Sequence, residues 1–273
     1  METLPLQLIA ILLGASIGSF INVVVYRLPL HLPLTHPPSR CPHCLTPLQP
    51  QDNIPILGWF LLQGKCRYCH QPISWRYPLI EAIAAFLFWA VAAHWQFSLP
   101  LPNQIALSLF LSFLLTLALI DLDTLTLPNR LTQPGLILGL IYQLLHPAPL
   151  DQLIGGIIGA VVGIWLFPLL IFSIQIGILV CDLLDFPVGS LKGKELMGGG
   201  DAKLSALIGA WLGWEKLLVA QAIATVTALL SHIPKLGQAK PFPFGPFLAL
   251  GGGIALFHGD KIIKTYLQFL GLA

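Results

Sequence analysis

Charge is scarce in this 273-residue sequence: 14 Lys and Arg against 12 Asp and Glu, 10% of the chain, where soluble domains carry about 25%. That scarcity excludes a soluble monomer with a hydrated surface. A net charge of +2, with the basic residues scattered, excludes a nucleic-acid-binding face. Acidic tails, internal repeats and low-complexity linkers are missing too, so neither a solenoid nor a disordered tether fits. No GxGxxG run joins a strand to a helix, which removes the dinucleotide-binding fingerprint. The first apolar run, Leu4 to Tyr26, has no basic flank before it and no small-residue cleavage site after it. It reads as a retained helix, not a removable signal.

Apolar residues are abundant: 56% are hydrophobic and 25 more are glycine, well above the roughly 45–50% of globular chains. They fall in runs of bilayer-crossing length, about 20 residues. Eight spans are expected, at 4–26, 79–98, 102–121, 133–147, 152–180, 202–214, 217–232 and 244–258, with a break near Pro168 in the long fifth. The fold class is therefore an all-α polytopic membrane protein, surrounded by lipid, with one small zinc-ribbon-like cytoplasmic insertion. The expected organisation is a first transmembrane helix at 1–26, a zinc-binding loop domain at 27–78 and a transmembrane core at 79–273. Gly14 and Gly18, at small-xxx-small spacing in the first span, invite close approach by another helix. With the amino terminus outside, 11 Lys and Arg lie inside and 3 outside. Basic residues favour the cytoplasmic side, so the 27–78, 122–132, 181–201 and 233–243 loops are placed there.

Four of the five cysteines form two knuckles, Cys41-Pro-His-Cys44 and Cys66-Arg-Tyr-Cys69, separated by 21 residues. Each CxxC turns two thiolates toward one centre, and two such pairs complete a tetrahedral zinc site. A pair of disulfides is the alternative, but a cytoplasmic loop is reducing. Zinc also explains how a Pro-rich, weakly apolar loop folds, because metal binding supplies the free energy that a small core cannot. Four thiolates leave no open coordination position, so the metal is expected to be structural. His43 and His70 read as bystanders, and the lone Cys181 as a small buried hydrophobe.

Ionisable groups at membrane depth are costly and are functional candidates. Asp52, in an aqueous segment, needs no such role. Asp121 and Asp123 end the third span and Asp201 opens the sixth, so the topology brings them to one cytoplasmic level. Two carboxylates at one site can act as an acid/base pair, one protonated and one ionised. The ordinary readings are a hydrated span end for Asp121 and a helix N-cap for Asp201. Gly198 to Gly200 lack a Cβ, so a substrate backbone or a facing helix can come close to Asp201. Asp121 and Asp123 diverge by about 200° on a helix, so only one can face Asp201. Spacing does not choose between them.

The chain resembles the type IV prepilin peptidases. The resemblance rests on Gly18-Ser-Phe20-Ile-Asn22-Val-Val-Val-Tyr-Arg27-Leu-Pro29, the paired CxxC knuckles and Ile73-Ser-Trp-Arg-Tyr77-Pro-Leu-Ile-Glu81. It continues in the Asp121 segment with Pro128 and Asn129, the GxGD element at Gly198 to Asp201, and Pro243-Phe-Gly-Pro246-Phe-Leu-Ala-Leu. It implies an aspartic endopeptidase with Asp121, seven residues before Pro128, and Asp201 as its catalytic pair. It also implies cleavage of prepilins or pseudopilins after a short basic leader on the cytoplasmic face of the bacterial inner membrane. N-methylation of the new amino terminus from S-adenosylmethionine follows from the resemblance alone, and the methyl-donor site stays unassigned. Asn129 stands where relatives often have Asp. Asn22 reads as an interhelical hydrogen bond or a ligand contact, Glu81 as a residue near the zinc loop that can face the site, and Lys203 as snorkelling to the interface in preference to tuning Asp201. The 241–246 proline cluster breaks the chain before the last span. Presenilin-like proteases share GxGD but place a Tyr before the first Asp, where this chain has Ile120. A proton-coupled transporter or a zinc-binding membrane scaffold is the rival from another class.

Overall fold

A computed structural model of the protein describes residues 3–95, 99–145, 149–165, 199–232 and 243–271. Among these, all regular elements are helical apart from two isolated β-bridges. The helices are α1 (Thr3–Arg27), α2 (Leu57–Leu61), α3 (Arg76–His94), α4 (Leu101–Thr124) and α5 (Asn129–Gln143), followed by α6 (Pro149–Trp165), α7 (Gly199–His232) and α8 (Gly245–Phe269). Four of them, α1, α3, α4 and α7, are long and apolar enough to cross a bilayer, and α6 is a shorter apolar helix. Pro168, Cys181, Gly198 and the expected 181–198 and 233–242 loop residues lie outside the described residues.

The chain divides into two compact units, residues 1–120 and 121–273, with the boundary inside α4. In the first unit α1 packs on α3. A Cβ added at Gly14 would lie 2.7 Å from the Ala85 Cα, and one at Gly18 would lie 2.6 Å from the Glu81 Cα. The small-xxx-small pair is therefore a backbone-to-backbone seam, and Asn22 donates across it to the Tyr77 carbonyl at 3.3 Å. Leu4, Leu8, Leu12 and Leu13 remain exposed on α1, as suits a surface that faces lipid tails.

In the second unit α7 carries both the sixth and the seventh expected spans. Its helical geometry fails at Gly213 alone, where φ is 80° and ψ 171°, a conformation open to glycine. A continuous helix would satisfy the Ala210 and Trp211 carbonyls from residues 214 and 215. Across the break Gln143 Nε2 donates to both at 3.0 Å, and the Trp211 indole donates to the Gly135 carbonyl. Beyond the break, α7 runs antiparallel to α8: Ala220 lies against Gly251, and Lys216 against Gly259. Since α8 starts beside Asp121 and α7 starts beside Leu127, the chain reverses at Gly213. Lys216 and Asp260 pair at 2.8 Å at the far end.

Candidate active site and metal centre

Both cysteine knuckles fold by the same local rule. The Cys41 N–H bonds to the Thr46 carbonyl and the Leu45 N–H to the Cys41 carbonyl; the Cys66 N–H bonds to the Gln71 carbonyl and the His70 N–H to the Cys66 carbonyl. A β-bridge flanks each turn, Arg40 with Pro47 and Lys65 with Pro72. Leu45 and His70 hold the matching positive-φ positions, at 59° and 57°. The four Sγ atoms lie within 4.8 Å of one another, with Cys41 to Cys69 at 3.7 Å and Cys44 to Cys66 at 3.9 Å. Zn–S bonds of about 2.3 Å in a tetrahedron demand sulfur separations of about 3.8 Å, so the donor set fits zinc. His43 and His70 are exposed and outside the cluster.

Electrostatics within the cluster favour a cation. Hydrogen bonds from Thr46 hold the Cys44 thiol down at about 6, and the Cys69 and Tyr68 N–H groups lower Cys66. Cys69 goes the other way: the Gln71 N–H lowers it, but burial and the three neighbouring sulfurs carry it up to about 11. Four thiolates together need a positive charge among them.

Asp52 ties the segment between the knuckles to the second knuckle. It is 9% exposed and accepts two bonds from Arg67 Nε, at 3.1 and 3.0 Å, with an ion pair to Arg67 Nη2. The Arg67 hydrogen bonds hold its carboxyl below the usual carboxylate range. The signal available in the sequence was the arginine between the two cysteines of the second knuckle. Arg27, at the end of α1, likewise ties down the loop start by donating to the carbonyls of Pro33, Leu34 and Pro37.

Between the α1–α3 pair and this ribbon lies a cavity of about 820 Å³, with Asn22, Arg27, Trp59, Tyr77 and Glu81 in its wall. Glu81 is 8% exposed. It accepts the Ile56 N–H at 2.6 Å, which joins α3 to the loop before α2.

The second unit carries the acid pair. Asp121, in the last turn of α4, is 5% exposed and Asp201, in the first turn of α7, 9%; they are near enough for the charge of one to act on the other. Of the two acids that spacing left equivalent, Asp121 is buried and Asp123 is exposed. Asp121 Oδ2 accepts the Gly245 N–H at 2.9 Å, a partner that sequence reasoning missed across 124 residues; the only trace was a glycine within the proline cluster. Lys203 Nζ donates to Asn129 Oδ1 at 2.7 Å, linking the segment after Asp121 to the helix of Asp201. Gly200 packs on Leu127, whereas a Cβ at Gly199 would meet nothing within 4 Å.

A multi-helix membrane protein with two buried acids on neighbouring helix ends, and a four-cysteine ribbon on a separate unit, is the class that fold and site define. Residues 12–95 match the bacterial peptidase A24 N-terminal domain, and residues 108–233 match the type IV leader peptidase family. The chain is 38% identical to a prepilin leader peptidase/N-methyltransferase of Aeromonas hydrophila, over 94% of this chain and 92% of that relative. It is 36% identical to proteins of the same name from Stutzerimonas stutzeri and Pseudomonas aeruginosa, each over 98% of this chain and 96% of the relative. The chain belongs to the type IV leader peptidase family. No solved structure matches it.

Proposed function

We propose that this protein removes the short basic leader from prepilins or pseudopilins and then N-methylates the new amino terminus. The observation that carries the peptidase reading is the pair of buried acids, Asp121 and Asp201, each at a helix end and within each other's electrostatic reach. One ionised carboxylate deprotonates water for attack on the scissile carbonyl carbon, and its protonated partner donates to the carbonyl oxygen. A substrate with a basic leader in water and an apolar helix in lipid presents its cleavage bond at such a border. The Lys and Arg distribution, 11 against 3, supports a bacterial inner-membrane enzyme with its amino terminus outside and its active site facing the cytoplasm.

The methyl donor implied by the relatives' name, S-adenosylmethionine, would supply an electrophilic methyl group. The cavity in the first unit has the size of small-molecule sites, about 300–1,000 Å³, and its wall offers groups suited to that donor. The Glu81 carboxyl can accept from hydroxyl or ammonium groups, and Asn22 can both donate and accept. Cys41, Cys44, Cys66 and Cys69 hold structural zinc and keep the ribbon folded beside that cavity.

The test is to incubate the purified protein with a synthetic leader-plus-helix peptide and to weigh the products with and without S-adenosylmethionine. Cleavage after the leader, and a mass gain of one methyl group only when the donor is present, is the expected result. An intact peptide in both arms refutes the reading and favours a transporter or scaffold.

A further inference from the structure

The two acids are chemically alike, and the start of α8 distinguishes them. The first turn of α8 offers backbone donors at residues 245 to 248. Pro246 has no N–H, and the N–H groups of Phe247 and Leu248 are both taken by the Phe244 carbonyl, at 3.1 Å each. The Gly245 N–H is therefore free to leave the helix, and it meets Asp121 Oδ2 at 2.9 Å in a buried setting. A 25-residue helix stands behind this donor, adding its positive end to the bond. Lys203, the nearest cation in sequence to Asp201, is engaged with Asn129.

Why residue 245 is glycine follows from the same contact. A Cβ there would lie 2.7 Å from Asp121 Oδ2, 3.0 Å from its Cγ and 3.1 Å from its Cβ. Any side chain would push the carboxyl away from the donor.

We infer that Gly245 is a positioning residue that holds Asp121 as the ionised member of the pair, leaving Asp201 as the protonated one. This rests on the dyad reading above and assigns its two roles. Asp121 takes a proton from water as the water oxygen bonds to the scissile carbon, and Asp201 gives its proton to the carbonyl oxygen. On collapse the C–N bond breaks. Asp121 passes its proton to the leaving nitrogen, Asp201 recovers one from the hydroxyl as the carbonyl reforms, and both acids return to their starting states.

Two measurements on the purified full-length protein test this. Gly245→Ala should lower kcat for leader removal about 100-fold, the scale of a small misplacement at a reacting group, with KM within about threefold and zinc content unchanged. Gly155→Ala, whose added carbon meets nothing within 4 Å, serves as the handling control. Unchanged kcat in Gly245→Ala overturns the inference. The second measurement does not depend on that variant folding: infrared difference spectra of Asp121→Asn and Asp201→Asn against the unsubstituted protein. The protonated-carboxyl band should vanish in Asp201→Asn and persist in Asp121→Asn; the reverse, or the same response in both, overturns the assignment. Robust cleavage by either Asn variant instead rejects the dyad itself, so the two failures are distinguishable.

Discussion

Removing the Glu81 carboxyl tests whether it offsets a strained turn. Ile56 has φ 62° and ψ −57°, the centre of a tight turn closed by the Leu57 N–H on the Pro55 carbonyl at 2.6 Å. A γ-turn of this hand is rare and strained, and a bulky residue at such a position costs about 1–3 kcal/mol. The Glu81 bond to the Ile56 N–H, at 2.6 Å from a carboxyl 8% exposed, returns about 1–3 kcal/mol, so bond and strain nearly balance. Glu81→Ala should therefore release the turn that leads into α2, whose Trp59 stands on the cavity wall. At ~2 kcal/mol, the Ile56 amide should exchange with solvent about thirtyfold faster in amide hydrogen exchange. Ile56→Gly in the Glu81→Ala background should recover about 1 kcal/mol by removing the strain. An Ile56 exchange rate changed less than about twofold by Glu81→Ala would refute the reasoning.

Treatment with a strong chelator, or Cys44→Ser, should release zinc and make residues 40–72 protease-sensitive, because the ribbon's folding free energy comes from the metal; persistent protection in a metal-free sample would contradict this. Since Arg67 lowers the Asp52 carboxyl, Asp52 stabilises the fold above its unfolded value of about 3.9, and that contribution is lost as pH falls through the lower folded value. Asp52→Asn should flatten the acid dependence of stability in that window, and an unaltered acid unfolding curve would count against the ion pair. Gly209→Ala should markedly destabilise the protein in a thermal melt, because its added carbon would overlap the Gly159 carbonyl, whereas Gly199→Ala, with nothing within 4 Å, should leave the melt unchanged; equal effects would refute the α6–α7 seam.

What the sequence made legible was local. Apolar runs long enough for a bilayer announced the helices, and CxxC spacing announced the cluster whose sulfurs lie within 4.8 Å of one another. Gly14 and Gly18 announced a seam without saying which helix fills it. The reversal at Gly213 falls at the end of the sixth expected span, 202–214, before the seventh, 217–232. What stayed hidden depends on long-range closure. The partner of Asp52, Arg67, stood 15 residues away with nothing in the spacing to pair them. Asp121 and Asp123 were equivalent by spacing, since helical geometry gives the angle between them and not the direction of the core. Gly245 lay within a proline cluster that any chain break could explain, and only the packing of α8 brings its N–H to Asp121.

The most direct measurement compares Asp121→Asn, Asp201→Asn and Asp123→Asn, each verified for zinc content, in cleavage of the leader-plus-helix peptide. Loss of leader removal in the first two, with substantial activity in the third, is the predicted result. Robust cleavage by Asp121→Asn or Asp201→Asn, or complete loss in Asp123→Asn, would contradict the account.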